Sequence, residues 1–116
     1  MLTTGSIDYR LNEGLQLRQM PVQEFAVVAH MNGIRNASKS KLFEAFRGVK
    51  ALQNETAIQL WALWQEVEEL CQRSAPLILD LSDGEQVYNW LVIQRKMKQT
   101  IKYDAADVQE ILADGK

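Results

Sequence analysis

The apolar residues in the first part of the chain recur at intervals typical of an amphipathic helix. Ser6 is a suitable N-cap for a first helix that begins at Ile7. Gly14 falls inside this helix and, by propensity alone, weakens it by about 1 kcal/mol relative to alanine. The apolar positions that define the helix are Ile7, Leu11, Leu15 and Met20.

Residues that start or stop helices mark out the next two elements. Pro21 suits the first turn of a second helix, which Asn32-Gly33 ends. Ser38 then caps a third helix that runs to Arg47 and stops at Gly48. Both helices have a buried side, formed by Val22, Phe25, Ala26, Val28 and Ala29 in the second and by Leu42, Ala45 and Phe46 in the third.

A fourth, longer helix is predicted from Asn54, as its cap, to Gln72. Its apolar residues cover more than one stripe, so we expect neighbours to contact it from two sides. Trp61 and Trp64 are interpreted as core residues, because aromatic pairs at helical spacing on such a face bury a large apolar area. The apolar residues are Ala57, Ile58, Leu60, Trp61, Leu63, Trp64, Val67, Leu70 and Cys71.

The C-terminal part of the chain follows a break at Ala75-Pro76. Ser82 and Glu85 match a capping box at the start of a fifth helix, and Asp104 can cap a short sixth. We therefore predict an all-α fold of five or six helices. Residues 1–74 form the first predicted domain and residues 75–116 a C-terminal helical extension.

Composition excludes several classes of function. The 116-residue chain is 47% hydrophobic and 24% charged, which is ordinary for a soluble globular protein. No apolar run approaches the roughly 20 residues of a membrane span, and the N-terminus has no signal-peptide pattern. A reduced, cytoplasmic location is the resulting expectation. One cysteine and one histidine exclude an internal disulfide and most zinc sites, so we predict no metal or cofactor.

The chain also lacks the residue patterns of an enzyme. It contains no glycine-rich phosphate loop and no Ser/His/Asp set. Glu66, Glu68 and Glu69 are interpreted as a solvated face, since nothing nearby would separate their pKa values for acid–base work. His30 is interpreted as a structural histidine and Cys71 as a buried, inert thiol. We therefore predict that the protein is not an enzyme.

The distribution of charge points instead to nucleic acid. The whole chain carries a net charge of −2, yet residues 31–50 carry five cations and one anion, Glu44. A basic cluster at the start of a helix with small polar side chains suits the major groove of DNA. The alternative is an ordinary surface helix whose lysines only keep the protein soluble. The cations are Arg35, Lys39, Lys41, Arg47 and Lys50.

Residues 7–72 resemble the lambda-repressor/Cro-like helix-turn-helix family. The resemblance rests on four runs of sequence: Gln23-Glu24-Phe25-Ala26, Ser38-Lys39-Ser40-Lys41-Leu42, residues 45–52 (Ala-Phe-Arg-Gly-Val-Lys-Ala-Leu), and Asn54-Glu55-Thr56-Ala57. The chain departs from the family in the turn, because the stretch from Gly33 to Leu42 is longer than a tight helix-turn-helix connection. Either the second helix runs longer or the connection bulges.

The resemblance implies that the third helix lies in the major groove of double-stranded DNA. Lys39, Ser40 and Lys50 would then face base edges, and a lysine there would favour the N7 and O6 atoms of guanine. The remaining polar residues of the segment would contact the phosphate backbone and set the register of the protein on DNA. These predicted phosphate contacts are Ser38, Lys41, Arg47, Gln53, Arg35 and Gln23.

The resulting functional prediction is a bacterial or phage transcriptional regulator, a repressor or autoregulator, that binds a pseudo-palindromic site as a homodimer. Residues 85–101 are the first candidate for the dimer surface and residues 54–72 the second. The basic turn that ends the fifth helix (Arg95, Lys96, Lys98 and Lys102) either complements the helix dipole or adds a DNA contact. A rival prediction is a protein-interaction module, such as an antitoxin or a phage-encoded inhibitor, that binds a protein partner through residues 77–116.

Overall fold

The computed structural model describes residues 6–73 and 79–98, and within these ranges the protein contains five helices and no strand. They are α1 (Ile7–Arg18), α2 (Val22–Met31), α3 (Lys39–Phe46), α4 (Asn54–Arg73) and α5, helical from residue 84 through 98. The prediction of an all-α fold is confirmed. The predicted break at Ala75-Pro76, the domain boundary beside it and the helix capped by Asp104 lie outside the described residues.

Helices α1, α2 and α3 lie close to their predicted positions, but some predicted bounds are wrong by one or two residues. Helix α1 ends at Arg18 and leaves Met20 outside, Pro21 precedes α2 as its N-cap, and Arg47 follows α3 as its C-cap. The Ser6 hydroxyl accepts a hydrogen bond from Tyr9 N at 3.1 Å, and the Ser38 hydroxyl accepts one from Lys41 N at 3.3 Å. Gly33 and Gly48 follow α2 and α3 with φ of 75° and 76°, a conformation in which glycine carries no steric penalty. Each of these residues acts on a helix end only a few positions away in the sequence, so the helix ends are determined locally.

Two predicted caps are wrong by one residue. Helix α4 begins at Asn54 itself, because Ala57 N donates to the carbonyl of Gln53 at 2.8 Å and so closes the first turn on that residue. At α5 the cap is Asp83, whose carboxylate accepts a hydrogen bond from Gln86 N at 3.2 Å. The Ser82 hydroxyl donates to Asp80 instead, at 2.5 Å, and so does not form the predicted capping box.

The core of the protein lies where α1 packs on α3 and α4 and where α2 packs on α3. Trp64 is 2% exposed, and its ring meets Phe25 edge-on at 5.7 Å between centroids, which confirms its core position. Trp61 is half-buried, and Ile58 is 62% exposed and leaves part of α4 open to solvent. The largest fully buried side chains are Phe25, Leu11, Leu15, Leu42, Leu60, Leu91, Val28, Val67 and Val87.

Helix α5 docks on α2 and α4, so α4 is contacted from two sides as its broad apolar face predicts. Gly84 N at the start of α5 donates to the Glu24 carboxylate of α2 at 2.8 Å. Val87 and Leu91 are fully buried on the docked face. The Gln94 amide nitrogen donates to the carbonyl of Glu66 at 3.2 Å.

Glu66, Glu68 and Glu69, in the second half of α4, are not the solvated face predicted from the sequence. Glu66 pairs with Arg95 at 2.7 Å and Glu69 with Lys98 at 2.5 Å, so both bridge α4 to α5. Glu68 points to the other side and pairs with Arg18 of α1 at 2.7 Å. Because Arg95 and Lys98 are engaged in this way, two of the cations in the predicted basic turn hold α5 in place.

These pairs also explain two shifted pKa values. The hydrogen bond to Glu66 raises the pKa of Arg95, and the hydrogen bond from Lys98 lowers the pKa of Glu69.

None of the helices in residues 6–73 and 79–98 has the length and apolar character that a membrane crossing requires.

Gly14 provides the first test, because packing and helix propensity predict opposite effects for its replacement by alanine. A Cβ at Gly14 would lie 2.6 Å from Nε1 and 2.9 Å from Cε2 of the buried Trp64 ring. Gly14→Ala should therefore lower the free energy of unfolding by about 1–3 kcal/mol through overpacking, although propensity alone predicts a gain of about 1 kcal/mol. Urea unfolding measures the difference.

Glu13→Ala is the matched control for this test, since Glu13 is exposed on the same helix. Its effect should stay within about 0.5 kcal/mol. A Gly14→Ala protein that is as stable as the wild type or more stable would show that Trp64 does not constrain this position.

Candidate nucleic-acid interface

Helix α3 presents a polar face to solvent because its apolar residues face inward. Leu42 and Ala45 are fully buried, Phe46 is half-buried, and the side chains opposite them are exposed. Nine residues were predicted from the sequence to contact DNA, and all nine are exposed: Gln23, Arg35, Ser38, Lys39, Ser40, Lys41, Arg47, Lys50 and Gln53.

One hydrogen bond joins the starts of α2 and α3. Lys39 Nζ donates to Gln23 Oε1 at 3.1 Å, although the two residues are 16 positions apart in the chain. The Lys39 ammonium group also lies 5.9 Å from the centroid of the Phe43 ring. These two contacts hold the Lys39 side chain against the surface of the protein. Gln23 and Lys39 can therefore act on one ligand together.

A second network joins the connection before α3 to the connection after it. Lys41 Nζ donates to Asn36 Oδ1 at 3.0 Å, and Asn36 Nδ2 donates to Gln53 Oε1 at 3.2 Å. Asn36 has φ of 61°, in the left-handed region that asparagine tolerates better than most residues. Lys50 lines the same small cavity as Asn36, Lys41 and Gln53.

A wider groove lies between α2 and the connection that precedes α3. It encloses about 930 Å³ and shares Asn36 and Lys41 with the smaller cavity, so the two adjoin. Its polar lining includes Gln23, His30, Arg35, Ser38 and Lys39. His30 is exposed here, and its interpretation as a structural histidine is wrong because α2 turns this position outward.

Arg47 lies beyond the two cavities, in line with Lys39 along the surface of α3. Its guanidinium carbon lies 5.6 Å from the centroid of the Phe43 ring, on which Lys39 also rests. The spacing of Lys39, Phe43 and Arg47 is four residues each, so they follow one another along the helix surface. We define the basic surface as the exposed polar and cationic side chains of Gln23, Arg35, Asn36, Ser38, Lys39, Ser40, Lys41, Arg47, Lys50 and Gln53.

The long connection between α2 and α3 bulges, and α2 is not extended. Seven residues, 32–38, separate Met31 from Lys39. The bulge is pinned from inside: the Thr56 hydroxyl of α4 donates to the carbonyl of Arg35 at 3.1 Å, and Ala37 is buried. Arg35 and Asn36 are thereby held at the edge of the basic surface.

Sequence reasoning missed three residues of this region. Asn36 connects Lys41 to Gln53, Phe43 lies between Lys39 and Arg47, and Thr56 anchors the bulge. For Phe43, the four-residue spacing from both cations was a signal in the sequence. Asn36 and Thr56 had no comparable signal, because their partners are brought close only by the packing of α2, α3 and α4.

Asp8 fixes the connection that carries Lys50 and Gln53. Its carboxylate is buried and accepts a hydrogen bond from Leu52 N at 3.3 Å, across 44 positions of sequence. Burial raises the pKa of Asp8, and the hydrogen bond from Leu52 opposes this effect only in part. Helix α1 therefore positions the connection that carries Lys50 and Gln53 through the Asp8 carboxylate, whose charged form is disfavoured by burial.

Two further features of the described residues concern metal ligands and the cysteine thiol. No group of three or more His, Cys, Asp or Glu side chains in residues 6–73 and 79–98 is close enough to hold a metal ion. Cys71 is half-buried on α4, and burial raises the pKa of its thiol, which disfavours the reactive thiolate. No family model, curated protein or solved structure matches this chain.

The raised pKa of Asp8 gives a prediction about stability and pH. A carboxyl group whose pKa is higher in the folded than in the unfolded state favours folding below the unfolded pKa, and this contribution is lost as pH rises through the folded pKa. Asp8→Asn removes the buried charge and keeps an oxygen that can accept from Leu52 N. The variant should therefore have a higher Tm than the wild type at pH 7, and the difference should shrink toward pH 4.

Thermal unfolding followed by circular dichroism across this pH range measures the effect. Glu13→Gln is the control, because it removes a carboxylate from the exposed side of the same helix. A lower Tm for Asp8→Asn at pH 7 would mean that the charge itself stabilises the connection to Leu52.

Proposed function

We propose that the protein is a sequence-specific double-stranded DNA-binding transcriptional regulator that reads the major groove with α3. The observation that carries the proposal is the basic surface, where cations and amides from three segments of the chain meet on the exposed side of one helix. This surface is basic in a protein whose net charge is −2. A cluster of cations on one face of a protein is typical of nucleic-acid binding.

The reading residues in this proposal are Lys39, Ser40 and Lys50. Lys39 and Ser40 lie in the first turn of α3, the part of a recognition helix that meets base edges. The contacts of Lys39 with Gln23 and Phe43 restrain its side chain, which reduces the entropy lost on binding. A lysine in this position favours guanine, and a serine accepts several bases.

The remaining residues of the basic surface are proposed to hold the DNA backbone. Lys41 and Gln53 are joined through Asn36, so one network presents a cation and an amide from either side of α3. Arg35, Ser38, Arg47 and Gln23 extend the line of donors along the groove and the helix flank. Contacts of this kind orient a protein on DNA without reading its sequence.

A homodimer is part of the proposal, with α5 as its first candidate surface. Trp90 is half-buried, Ile93 is 44% exposed and Met97 is 54% exposed, and their spacing places them along one stripe of the helix. Antiparallel pairing of two copies about an axis near Trp90 would place Glu85 of one copy beside Lys96 of the other. Such a self-complementary contact is what two-fold symmetry requires.

The same apolar stripe also favours the second candidate function. A protein-interaction module, such as an antitoxin or an inhibitor, would use α5 and the residues after it to bury a partner. The two functions differ in their response to salt, because DNA binding releases counterions whereas an apolar interface does not.

The direct test is fluorescence anisotropy with duplex DNA from the region upstream of the gene and random duplex as competitor. We expect the wild type to prefer the upstream duplex. Lys39→Ala and Lys50→Ala should each lose about 1–3 kcal/mol of binding free energy. Arg10→Ala is the control, since Arg10 is an exposed cation of α1 outside the basic surface. Equal, weak binding of both duplexes by every variant would argue against regulation at this site.

Salt dependence separates the two candidate functions. If Arg35, Lys41 and Arg47 contact phosphates in both copies of a dimer, affinity for DNA should fall about a thousandfold between roughly 50 and 200 mM salt. A complex with a protein partner buried through Trp90, Ile93 and Met97 should change little over the same range, whereas Leu91 is already buried within the fold and cannot contact a partner. An affinity for DNA that does not change with salt concentration would show that the cations of the basic surface do not contact phosphates.

A further inference from the structure

Glu44 is an acidic residue at the centre of the exposed face of α3. It is the one anion among residues 31–50. Ser40 and Glu44 lie two residues before and after the fully buried Leu42, so a helix of 3.6 residues per turn points both side chains away from the core. The spacing of four residues also places Glu44 directly beyond Ser40 along the same surface. A ligand that meets Ser40 therefore also meets Glu44.

The Glu44 carboxylate is available to a ligand although cations surround it. Its side chain forms no ion pair or hydrogen bond within the part of the chain that the structure describes. Lys41 is engaged by Asn36, Arg47 rests on Phe43, and Lys50 lines the same small cavity as Glu44 without reaching it. When a ligand displaces the water around this carboxylate, the carboxylate needs a hydrogen-bond donor from that ligand.

The chemistry of a carboxylate limits what it can contact on DNA. It is an acceptor only, so phosphate oxygens repel it and it cannot pair with the acceptors of guanine or thymine. Only two major-groove groups donate: N4 of cytosine and N6 of adenine. In adenine the acceptor N7 lies beside N6 and would repel the second carboxylate oxygen, whereas cytosine has no acceptor in that place. Cytosine is therefore the base that suits Glu44.

We propose that Glu44 is a specificity-determining residue that selects a cytosine by accepting a hydrogen bond from its N4 amino group. The inference rests on the proposed DNA-binding function and adds the base that one side chain of α3 reads. The competing interpretation is that Glu44 is a solvated side chain whose only effect on DNA is repulsion of the backbone.

The test is selection of bound sequences from a pool of randomised duplexes by the wild type, Glu44→Ala and Glu44→Gln. The wild-type motif should contain a cytosine that the Glu44→Ala motif does not require. Glu44→Gln should change the preference at that position to adenine, because a glutamine can both accept from N6 and donate to N7. In anisotropy measurements on the selected duplex, replacing this cytosine should weaken wild-type binding roughly tenfold, and Glu44→Ala binding about twofold or less.

The outcomes distinguish a failure of the cytosine assignment from a failure of the proposed DNA-binding function. If both variants select the wild-type motif and bind every duplex more tightly, Glu44 acts only by repulsion and the cytosine assignment is wrong. If the wild type selects no motif, the proposed function itself fails, and the cytosine assignment fails with it. Because Glu44 is exposed, circular dichroism of both variants should match the wild type, so loss of fold does not confuse the comparison.

Discussion

The packing of Trp64 against Gly14 and Phe25 is the constraint on which the arrangement of α1, α2 and α4 depends. A single large side chain on α4 occupies the space between α1 and α2, and α1 can approach it only because Gly14 has no Cβ. Interiors are close-packed, so the position of one rigid indole ring fixes the distance between three helices. Glycine at this position is explained by the tertiary contact, since helix propensity would favour alanine.

The candidate interface depends on that core through a few buried polar contacts. Thr56 holds the carbonyl of Arg35, and Asp8 holds the amide of Leu52, so the connections on both sides of α3 are tied to α4 and α1 respectively. Loops of this kind carry binding residues on a rigid scaffold. The exposed side chains of Lys41, Asn36 and Gln53 then complete a surface whose backbone is already held in place.

Opposite charges have separate roles in the protein. The cations of α3 and its connections face solvent, and those described in α5 include two that pair with glutamates of α4. Among the glutamates of the described helices, Glu66, Glu68 and Glu69 join helices to one another, whereas Glu44 stands alone on the proposed reading face. Net charge therefore says little about this protein, because Glu66, Glu68 and Glu69 of α4 are paired with cations within the fold while the cations around α3 are displayed together.

The sequence by itself determined the positions of the helices, since the signals are local. Ser6, Ser38, Gly33 and Gly48 act on backbone groups within a few residues, and the inward stripe of α3 follows from helical spacing. Where two adjacent residues could cap, as at Ser82 and Asp83, local reasoning chose wrongly because Asp80 engages the serine. The exposure of the candidate DNA-contacting side chains also followed from the spacing of apolar residues in the sequence.

Only the tertiary structure decided that Gln23 meets Lys39, that Glu66 meets Arg95 and that Thr56 holds the long connection in place. The physical reason is that these contacts join residues 16 or more positions apart, and their distances are set by how whole helices pack.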